Sequence, residues 1–332
     1  MTKLIIQIPC LNEASTLPST LADLPRAVAG IDVVEVLVID DGSRDGTAEV
    51  ARHCGADHVV RLRRNKGLAA AFMAGIDASL KAGADFIINT DADNQYAAHE
   101  IPRLLAPLLS GEADIVIGDR NIADLLHMSW QKRQLQQLGS WVVRQVSGTS
   151  VPDTTSGFRG YTREAALKMT IVSEFSYTLE SIIQAGKKRM AIAHVPIETN
   201  PRTRQSRLFD SLFSYIKRSA ATIVRIYAMY EPLKVFTYIG LAVFSGGFAG
   251  FLRFVYYFFQ NEAFRHIASL IVAAVLMIVG FQIVLIGLLA DMISGNRKLL
   301  EDLLYRVRQI ELTGQPEETQ PPVLSGKAGR ER

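Results

Sequence analysis

Two long apolar stretches lie near the carboxyl end of the sequence. Residues 235–252 carry no charge, and the apolar run resumes after Arg253 up to Phe259; residues 267–290 have Gln282 as their only strongly polar side chain. A helix needs about 20 apolar residues to cross the hydrocarbon core of a bilayer, and helices in soluble cores rarely stay apolar on every face for so long. The pattern predicts two transmembrane helices, with a pair of buried core helices as the alternative.

The link between these stretches, residues 260–266, is too short to hold a domain, so we expect a helical hairpin with both outer ends on one side. Basic residues flank those ends, namely Lys217, Arg218, Arg225 and Lys234 before the first stretch and Arg297, Lys298, Arg306 and Arg308 after the second. Positively charged flanks stay in the cytoplasm. The sequence therefore predicts a multi-pass protein of the cytoplasmic (inner) membrane whose main domain faces the cytoplasm. Arg253 and Arg265, at the other end, weaken this bias without reversing it.

The first two hundred residues alternate between short apolar runs and helix-like segments. Strands are predicted at residues 4–8, 34–40, 57–61, 86–90 and 114–118. Helices are predicted at residues 15–29, with Ser15 as N-cap, and at 45–53, 67–82 and 101–109. Strands separated by helices of this length indicate an α/β fold with a mostly parallel sheet that is covered on both faces.

Acidic side chains follow the ends of three predicted strands, namely Glu13, Asp40, Asp41, Asp91 and Asp93. Ligands of parallel sheets bind at these strand ends, and converging carboxylates repel each other unless a cation or donor compensates. Asp91, Asp93 and Gln95 alternate along an extended segment, so they can point the same way. This hard, oxygen-only ligand set suits Mg²⁺ or Mn²⁺.

Composition narrows the function further. The chain has 332 residues, a net charge of +3 and a mean hydropathy of +0.16, which is high for a purely soluble enzyme and is concentrated in the two apolar stretches. No P-loop and no Gly-x-Gly-x-x-Gly motif follows a strand, which disfavours ATPases and dehydrogenases. Cys10 and Cys54 are the only cysteines, as expected in a reducing compartment. We expect no nucleic acid partner.

Six motifs, in this order, resemble the family 2 glycosyltransferases: Ile-Pro-Cys-Leu-Asn-Glu (8–13), Val-Ile-Asp-Asp-Gly-Ser-Arg-Asp-Gly-Thr (38–47), Asn-Lys-Gly (65–67), Asp-Ala-Asp-Asn-Gln (91–95), Asp-Thr-Thr-Ser-Gly-Phe-Arg (153–159) and Arg-Thr-Arg-Gln-Ser-Arg-Leu (202–208). They match best the branch that transfers a sugar to a polyprenyl phosphate, such as dolichyl-phosphate mannose synthases and bacterial polyprenyl-phosphate glucosyltransferases. The apolar pair extends the resemblance beyond residues 8–208, towards residue 295. The resemblance implies a GT-A-type nucleotide-binding domain.

The resemblance also implies a donor site. Residues that would contact the nucleotide sugar are Pro9, Asn12, Glu13, Asp40, Asp41, Lys66, Asp91 and Ala92. Asp91, Asp93 and Gln95 would hold the divalent metal, Mg²⁺ or Mn²⁺, that bridges the diphosphate, with Asp93 catalytic through the metal's Lewis-acid role. For Pro9 and Asn12, ordinary turn chemistry is the alternative.

Basic residues would form the acceptor site. The resemblance assigns the phosphate of a polyprenyl phosphate to Arg120, Arg202, Ser206 and Arg207, and a catalytic role to Arg133. The family's Arg-x-x-Gly-x-Ser-Lys motif is matched only loosely, because Gln205 replaces the glycine and Arg207 replaces the lysine. The alternatives are juxtamembrane charges that meet anionic headgroups and, for Arg120 and Arg133, solvated helix charges.

The mechanism we expect is in-line attack of the lipid phosphate on the anomeric carbon, with inversion. A phosphate monoester, with a second pKa near ~6, is already mostly dianionic at pH 7, so positioning and charge neutralisation should carry the rate. If a base exists, Asp153 is the first candidate; it could equally hold a sugar hydroxyl or serve as a turn carboxylate.

The predicted organisation has four parts. A catalytic domain spans residues 1–206, a juxtamembrane amphipathic helix segment 207–232, two transmembrane helices 233–290, and a cytoplasmic helix with a disordered tail 291–332.

The sequence leaves the oligomeric state and the acceptor open. Four glycines of the first apolar stretch permit close helix packing and so are compatible with a homo-oligomer, namely Gly240, Gly246, Gly247 and Gly250. Alternatives are a processive or other family 2 enzyme with a different acceptor, although Gln-x-x-Arg-Trp is absent, and a non-catalytic membrane adaptor. The choice between UDP-glucose and GDP-mannose stays open.

Overall fold

The computed structural model describes residues 1–120, 130–172, 177–201, 221, 224–225, 227–260 and 266–314; it leaves undescribed the side chains of residues 130–138. The predictions that Arg202, Ser206 and Arg207 bind phosphate and that the tail is disordered fall outside these residues. So do most of the amphipathic segment 207–232 and the side chain of Arg133.

Seven strands of the described chain form one sheet in the order β3-β2-β1-β4-β6-β5-β7. The strands are β1 Lys3–Cys10, β2 Val33–Asp40, β3 His58–Arg61, β4 Phe86–Asn89, β5 Ile115–Asp119, β6 Arg159–Thr162 and β7 Ile192–Pro196. The predicted mostly parallel sheet is confirmed, because only β6 runs antiparallel to its neighbours β4 and β5. Neither β6 nor β7 was predicted.

Helices cover both faces of this sheet. They are α1 Leu17–Asp23, α2 Thr47–His53, α3 Leu68–Lys81, α4 Ile101–Leu109, α5 Trp130–Ser147, α6 Arg163–Lys168 and α7 Tyr177–Lys187. Alternate residues of a strand point to opposite faces, so in β1 Ile5 packs towards Phe72 of α3 whereas Leu4 and Ile6 pack in the cluster that contains Leu104 of α4. Each face therefore carries its own buried apolar layer.

Helix α1 is shorter than predicted. It ends at Asp23 rather than near residue 29, and Leu24 is extended, because a residue that precedes proline avoids the helical region and Pro25 follows. The residue at the N-cap position is Thr16, not Ser15, and its side chain makes no capping hydrogen bond.

The predicted apolar hairpin is confirmed as two helices, α8 Pro232–Phe259 and α9 Ile267–Thr313. Both are long and apolar enough to cross a membrane, and only 11% and 17% of their most apolar windows are buried, which indicates membrane association. The helices approach through small residues: a Cβ on Gly240 would lie 2.7 Å from the carbonyl oxygen of Gly280. A Cβ on Gly247 would likewise lie 2.8 Å from the carbonyl oxygen of Ala273, whereas a Cβ on Gly246 would meet no atom of another described segment within 4 Å.

Helix α9 continues past its apolar stretch and contacts the α/β unit. Arg308 Nη1 donates to the carbonyl oxygens of Leu167 and Met169 at 3.1 and 2.9 Å. Glu301 lies 3.0 Å from Lys188 Nζ. The last turns of α9 are thus fixed against the ends of α6 and α7, and one continuous helix links the apolar hairpin to the sheet-bearing unit.

Candidate active site

The carboxyl end of β2 places two buried carboxylates side by side. Ser43 N–H donates to Asp40 Oδ1 at 2.8 Å, and Arg61 Nε lies 3.4 Å from Asp40 Oδ2. Asp41 accepts the backbone N–H groups of Lys66 and Gly67 at 2.8 and 2.9 Å. Burial raises the pKa of Asp41, and the charge of Asp40 adds to the rise. The β2 end therefore holds the loop that precedes α3.

Glycine makes this contact between loops possible. Gly42 has φ +77°, and a Cβ there would lie 2.6 Å from the carbonyl carbon of Arg64. The two loops therefore pack backbone against backbone, an approach that no other residue would permit.

The loop after β1 is fastened to the loop after β2. Asn12, with φ +54°, donates its N–H to Ser43 Oγ at 2.9 Å and accepts from the Arg44 N–H through Oδ1 at 3.0 Å. Glu13 N–H donates to Thr47 Oγ1 at 3.0 Å, and Glu13 Oε2 accepts from Thr16 Oγ1 at 2.7 Å. These contacts fix the backbone of two predicted donor-binding residues beside Asp40.

The loop after β4 holds the predicted metal ligands. Burial raises the pKa of Asp91 to about 7, and the nearby charges of Asp93 and Glu13 add to the rise against the opposing effect of Arg120. The Asp91 carboxyl is nonetheless partly open to the crevice. Gln95 N–H donates to Asp93 Oδ1 at 3.1 Å. A bound cation would offset the repulsion between the Asp91 and Asp93 carboxylates. These residues therefore fit a divalent metal.

Gly157 lets a neighbouring chain segment approach Asp91. A Cβ on Gly157 would lie 2.9 and 3.1 Å from the two Asp91 carboxylate oxygens and 3.2 Å from Tyr177 Oη. Gly157 N–H donates to Tyr96 Oη at 2.9 Å, and its carbonyl oxygen accepts from Asn89 Nδ2 at 2.8 Å. Both backbone polar groups of Gly157 are therefore hydrogen-bonded, and the Asp91 side chain packs against this glycine.

Arg120 and Asp153 form an ion pair at the same edge of the sheet. Arg120 Nε donates to Asp153 Oδ2 at 2.7 Å and Nη2 donates to Oδ1 at 3.0 Å. Asp153 is fully buried and also accepts from the N–H groups of Thr155 and Ser156. Although burial raises the pKa of Asp153, Arg120 and these hydrogen bonds outweigh burial and lower it.

Arg159 fixes the loop that carries Asp153. It is fully buried, and its guanidinium donates to the carbonyl oxygens of Ser156, Thr178 and Thr154 at 2.7, 2.9 and 2.9 Å. The arginine that ends the Asp-Thr-Thr-Ser-Gly-Phe-Arg motif therefore supports the loop from behind. Sequence reasoning quoted it in the motif but gave it no role.

An open cleft of about 760 Å³ lies beside Asn12. Its lining residues are Leu11, Asn12, Gly42, Ser43, Arg44, Arg61, Leu62, Arg63, Arg64 and Asn65. Arg44, Arg63 and Arg64 are exposed, and no residue in the described ranges pairs with their guanidinium groups. The sequence analysis missed these basic residues, although the Arg-Leu-Arg-Arg run that begins at the last residue of the third strand was a visible signal.

The predicted site residues within the described chain lie at this edge of the sheet, at the ends of strands or in the adjoining loops, namely Pro9, Asn12, Glu13, Asp40, Asp41, Lys66, Asp91, Ala92, Asp93, Gln95, Arg120 and Asp153. Arg133 belongs to α5 by its backbone only. Arg202, Ser206 and Arg207 lie outside the described residues, but Asn200, just before them in the chain, donates its N–H to the Gln95 carbonyl oxygen at 2.8 Å and its Nδ2 to that of Asn94 at 2.9 Å.

A second group of metal-ligating side chains follows the predicted metal ligands along the chain. Ligand atoms of His99, Glu100 and Glu198 lie within 4.8 Å of one another. Glu100 already accepts the Glu198 N–H at 3.1 Å and lies 3.6 Å from Arg103, and the other two residues are exposed. We therefore assign no metal to this group.

Comparison with known proteins gives the following similarities. Residues 5–169 match glycosyl transferase family 2, and residues 231–295 match the GtrB C-terminal hairpin. Glycosyltransferase AglJ of Haloferax volcanii is 28% identical over 92% of this chain and 97% of that protein. Polyprenol monophosphomannose synthase of Mycolicibacterium smegmatis is 30% identical over 60% of this chain and 77% of that protein.

Among solved structures, the fold resembles glucosyl-3-phosphoglycerate synthase from Mycobacterium tuberculosis in complex with Mn²⁺, UDP-glucose and phosphoglyceric acid. The TM-score is 0.54 and the sequence identity 23%, over 68% of this chain and 80% of that one. At this identity the likeness concerns the fold, and it confirms the GT-A-like architecture.

Proposed function

The chain belongs to the family 2 glycosyltransferases, in the branch that acts on polyprenyl phosphates, and on that premise we propose a specific reaction. In this reaction the enzyme moves a hexose from a nucleotide sugar of the UDP-glucose or GDP-mannose type to a polyprenyl phosphate, with inversion at the anomeric carbon. The reaction takes place at the cytoplasmic face of a membrane that α8 and α9 span.

The observation that carries this proposal is the acidic group around Asp91. Its carboxyl has a pKa raised to about 7 because of burial and of the charge on Asp93. Asp91, Asp93 and the amide oxygen of Gln95 would hold a divalent cation such as Mg²⁺ or Mn²⁺, which when bound stabilises the charge of the nucleoside diphosphate leaving group.

The rest of the donor site lies in the loops after β1 and β2. Pro9, Asn12 and Glu13 would line the nucleobase and ribose, and Asp40 and Asp41 would hold the base or ribose. The basic cleft extends this pocket: Arg63 and Arg64 offer guanidinium donors, which match the acceptor atoms of a nucleobase or a phosphate. Their exposure and their lack of a partner within the described residues support a role in binding.

Asp153 is better suited to positioning than to proton transfer. Its carboxylate accepts hydrogen bonds from Arg120, Thr155 and Ser156, and the resulting low pKa makes it a weak base. The acceptor phosphate is already dianionic near pH 7, so a strong base is unnecessary. We assign Asp153 the role of holding Arg120 at the crevice, where the guanidinium would attract the acceptor phosphate.

The acceptor would reach the crevice from the bilayer. Asn200 ties the start of the segment that contains Arg202, Ser206 and Arg207 to the acidic loop through Gln95 and Asn94. On this basis the three residues would grip the lipid phosphate next to the donor diphosphate. Arg133 of α5 stays a candidate for the same charge neutralisation.

The test is a transfer assay with the purified full-length protein. It is incubated with polyprenyl phosphate, Mn²⁺ or Mg²⁺, and a panel of nucleotide sugars labelled in the sugar. We expect a labelled lipid from one donor of the panel. Absence of transfer from every donor would favour the non-catalytic adaptor, and label in a growing polysaccharide would favour a processive enzyme.

A further inference from the structure

An exposed apolar stripe continues along α9 after its membrane-compatible part has ended. Leu300, Leu303, Val307 and Ile310 follow one another at intervals of three, four and three residues. All four are exposed, with Leu303 at 56% and Ile310 at 69%. This spacing is the a and d pattern of a heptad repeat, which places the four side chains on one seam of the helix. We call these four residues the α9 seam.

The opposite face of the same segment is already occupied. Glu301 and Arg308 contact the α/β unit as described above, and Tyr305 Oη donates to Glu164 at 2.9 Å. These residues occupy b and f positions when Leu300 is an a position. The α/β unit therefore fixes this stretch of α9 in a way that leaves the seam facing outwards.

The α9 seam lies too far along the helix to be buried in the bilayer. Helix α9 is one continuous helix from Ile267 to Thr313, and its uncharged apolar stretch ends at Ala290. At 1.5 Å per residue, Ile310 lies about 30 Å along the helix axis beyond Ala290. Exposed apolar stripes outside a membrane mark interaction surfaces, so the seam needs a partner in the aqueous phase.

Charges beside the seam indicate what that partner is. In a parallel coiled coil, a residue at position g faces position e of the next heptad on the other helix. Arg306 occupies g and Glu311 occupies the following e, so two copies of this helix in register bring opposite charges together at both edges. The present partners of these side chains, Asp302 at 3.0 Å and Lys81 at 3.7 Å, form exposed ion pairs that are weak enough to exchange.

We propose that the α9 seam pairs with the α9 seam of a second copy of this chain in a parallel coiled coil. The parallel direction rests on the proposed membrane insertion, because every copy then crosses the bilayer in the same orientation. The pairing itself goes beyond the proposed function and sets two catalytic units side by side at the membrane surface.

The test uses cysteine cross-linking of the full-length protein in membranes. Cys54 is exposed, so the background variant is Cys54→Ser, into which Leu303→Cys is introduced. Identical d residues face each other in a parallel coiled coil, so an oxidant should convert most of Leu303→Cys into a disulfide-linked dimer. The matched control is Asp302→Cys, one residue away on the outer side of the helix, which should stay monomeric.

Equal cross-linking of both variants would indicate random collision and would overturn the proposal. So would a monomeric Leu303→Cys variant, which would mean that another part of the chain, such as residues 202–226 or 315–332, covers the seam. Transfer activity of the reduced Leu303→Cys variant is the control for folding. Active protein without a cross-link refutes the pairing alone, whereas a cross-link in Leu303→Cys together with wild-type protein that transfers no sugar refutes the proposed function alone.

Discussion

Arg120 contacts both carboxylate oxygens of Asp153, with Nε 2.7 Å from Oδ2 and Nη2 3.0 Å from Oδ1. The arginine follows β5 and the aspartate precedes β6, so two residues 33 positions apart in the chain form one buried unit. The pair lies next to Asp91, whose carboxylate Arg120 stabilises electrostatically. Positive charge is thereby held at the acidic crevice, where an anionic acceptor would need it.

Replacing Arg120 by Met should destabilise the protein. The change leaves the Asp153 carboxylate buried without its cation, and breaking a buried pair in this way costs about 3–5 kcal/mol. Thermal unfolding of the purified protein measures the loss. Arg52→Met is the matched control, because Arg52 is exposed on α2 and should change the unfolding temperature little.

The same variant should show a reversed dependence on pH. In the wild type the pKa of Asp153 is lowered, so the pair stabilises the protein above the unfolded pKa of about 3.9, and this contribution is lost as the pH falls through the folded pKa. Without Arg120, burial raises the pKa of Asp153, and the variant gains stability as the pH falls. The gap in unfolding temperature between wild type and Arg120→Met should therefore narrow from pH 8 to pH 5; a constant gap would contradict this account.

Gly157→Ala should weaken metal binding. The new Cβ would lie 2.9 Å from one Asp91 oxygen, so the carboxylate must move. Changes beside metal ligands typically cost ten- to a hundred-fold in affinity, and we expect at least about ten-fold for Mn²⁺ by calorimetric titration. In the described part of the chain, a Cβ on Gly139 of α5 would meet no atom within 4 Å beyond its own turn of helix, so Gly139→Ala should bind Mn²⁺ as the wild type does.

The double variant Arg63→Ala/Arg64→Ala should raise the donor KM. A hydrogen bond to a charged group contributes about 1.5–3 kcal/mol, so we expect roughly ten-fold or more in KM with kcat little changed, the signature of lost ground-state binding. Arg52→Ala, outside the cleft, serves as control. An unchanged KM would remove these arginines from the donor site.

Gly280→Leu should disrupt the α8–α9 hairpin. Its Cβ would lie 2.6 Å from Phe244 N and 2.8 Å from the Gly240 carbonyl oxygen, and backbone atoms cannot rotate away. Overpacking of this kind costs about 1–3 kcal/mol. Thermal unfolding in detergent should show the loss for Gly280→Leu but not for Gly246→Leu, because a Cβ on Gly246 would meet no atom of another described segment within 4 Å. Equal effects of both variants would contradict the packing described here.

The acidic part of the site could be predicted because it depends on local order along the chain. Alternation of β1 and β2 with helices fixes where strands end, and Asp40, Asp41 and Asp91 follow directly. The antiparallel strand β6 could not be predicted, because Arg159–Thr162 has no apolar run and its pairing with β4 joins residues about 70 positions apart.

The contacts that position the site residues could not be predicted from the sequence either. Tyr177 Oη accepts from Asn89 Nδ2 at 3.0 Å, although the two residues are 88 positions apart. The helical spacing around this tyrosine predicts only a core residue. Arg63 and Arg64 have the sequence pattern of solvated charges, and only the close approach at Gly42 shows that their loop packs against the β2 end. The role of such residues depends on long-range packing, which the periodicity of the sequence does not show.

The mass of the lipid product tests the proposed sugar transfer to a polyprenyl phosphate. Wild-type protein and Asp93→Asn are each incubated with the metal, the donor selected from the panel, and either polyprenyl phosphate or the unphosphorylated polyprenol. We expect a polyprenyl phosphate that carries one hexose, formed only by the wild type and only from the phosphorylated lipid. Equal product from Asp93→Asn, or transfer to the polyprenol, would contradict it.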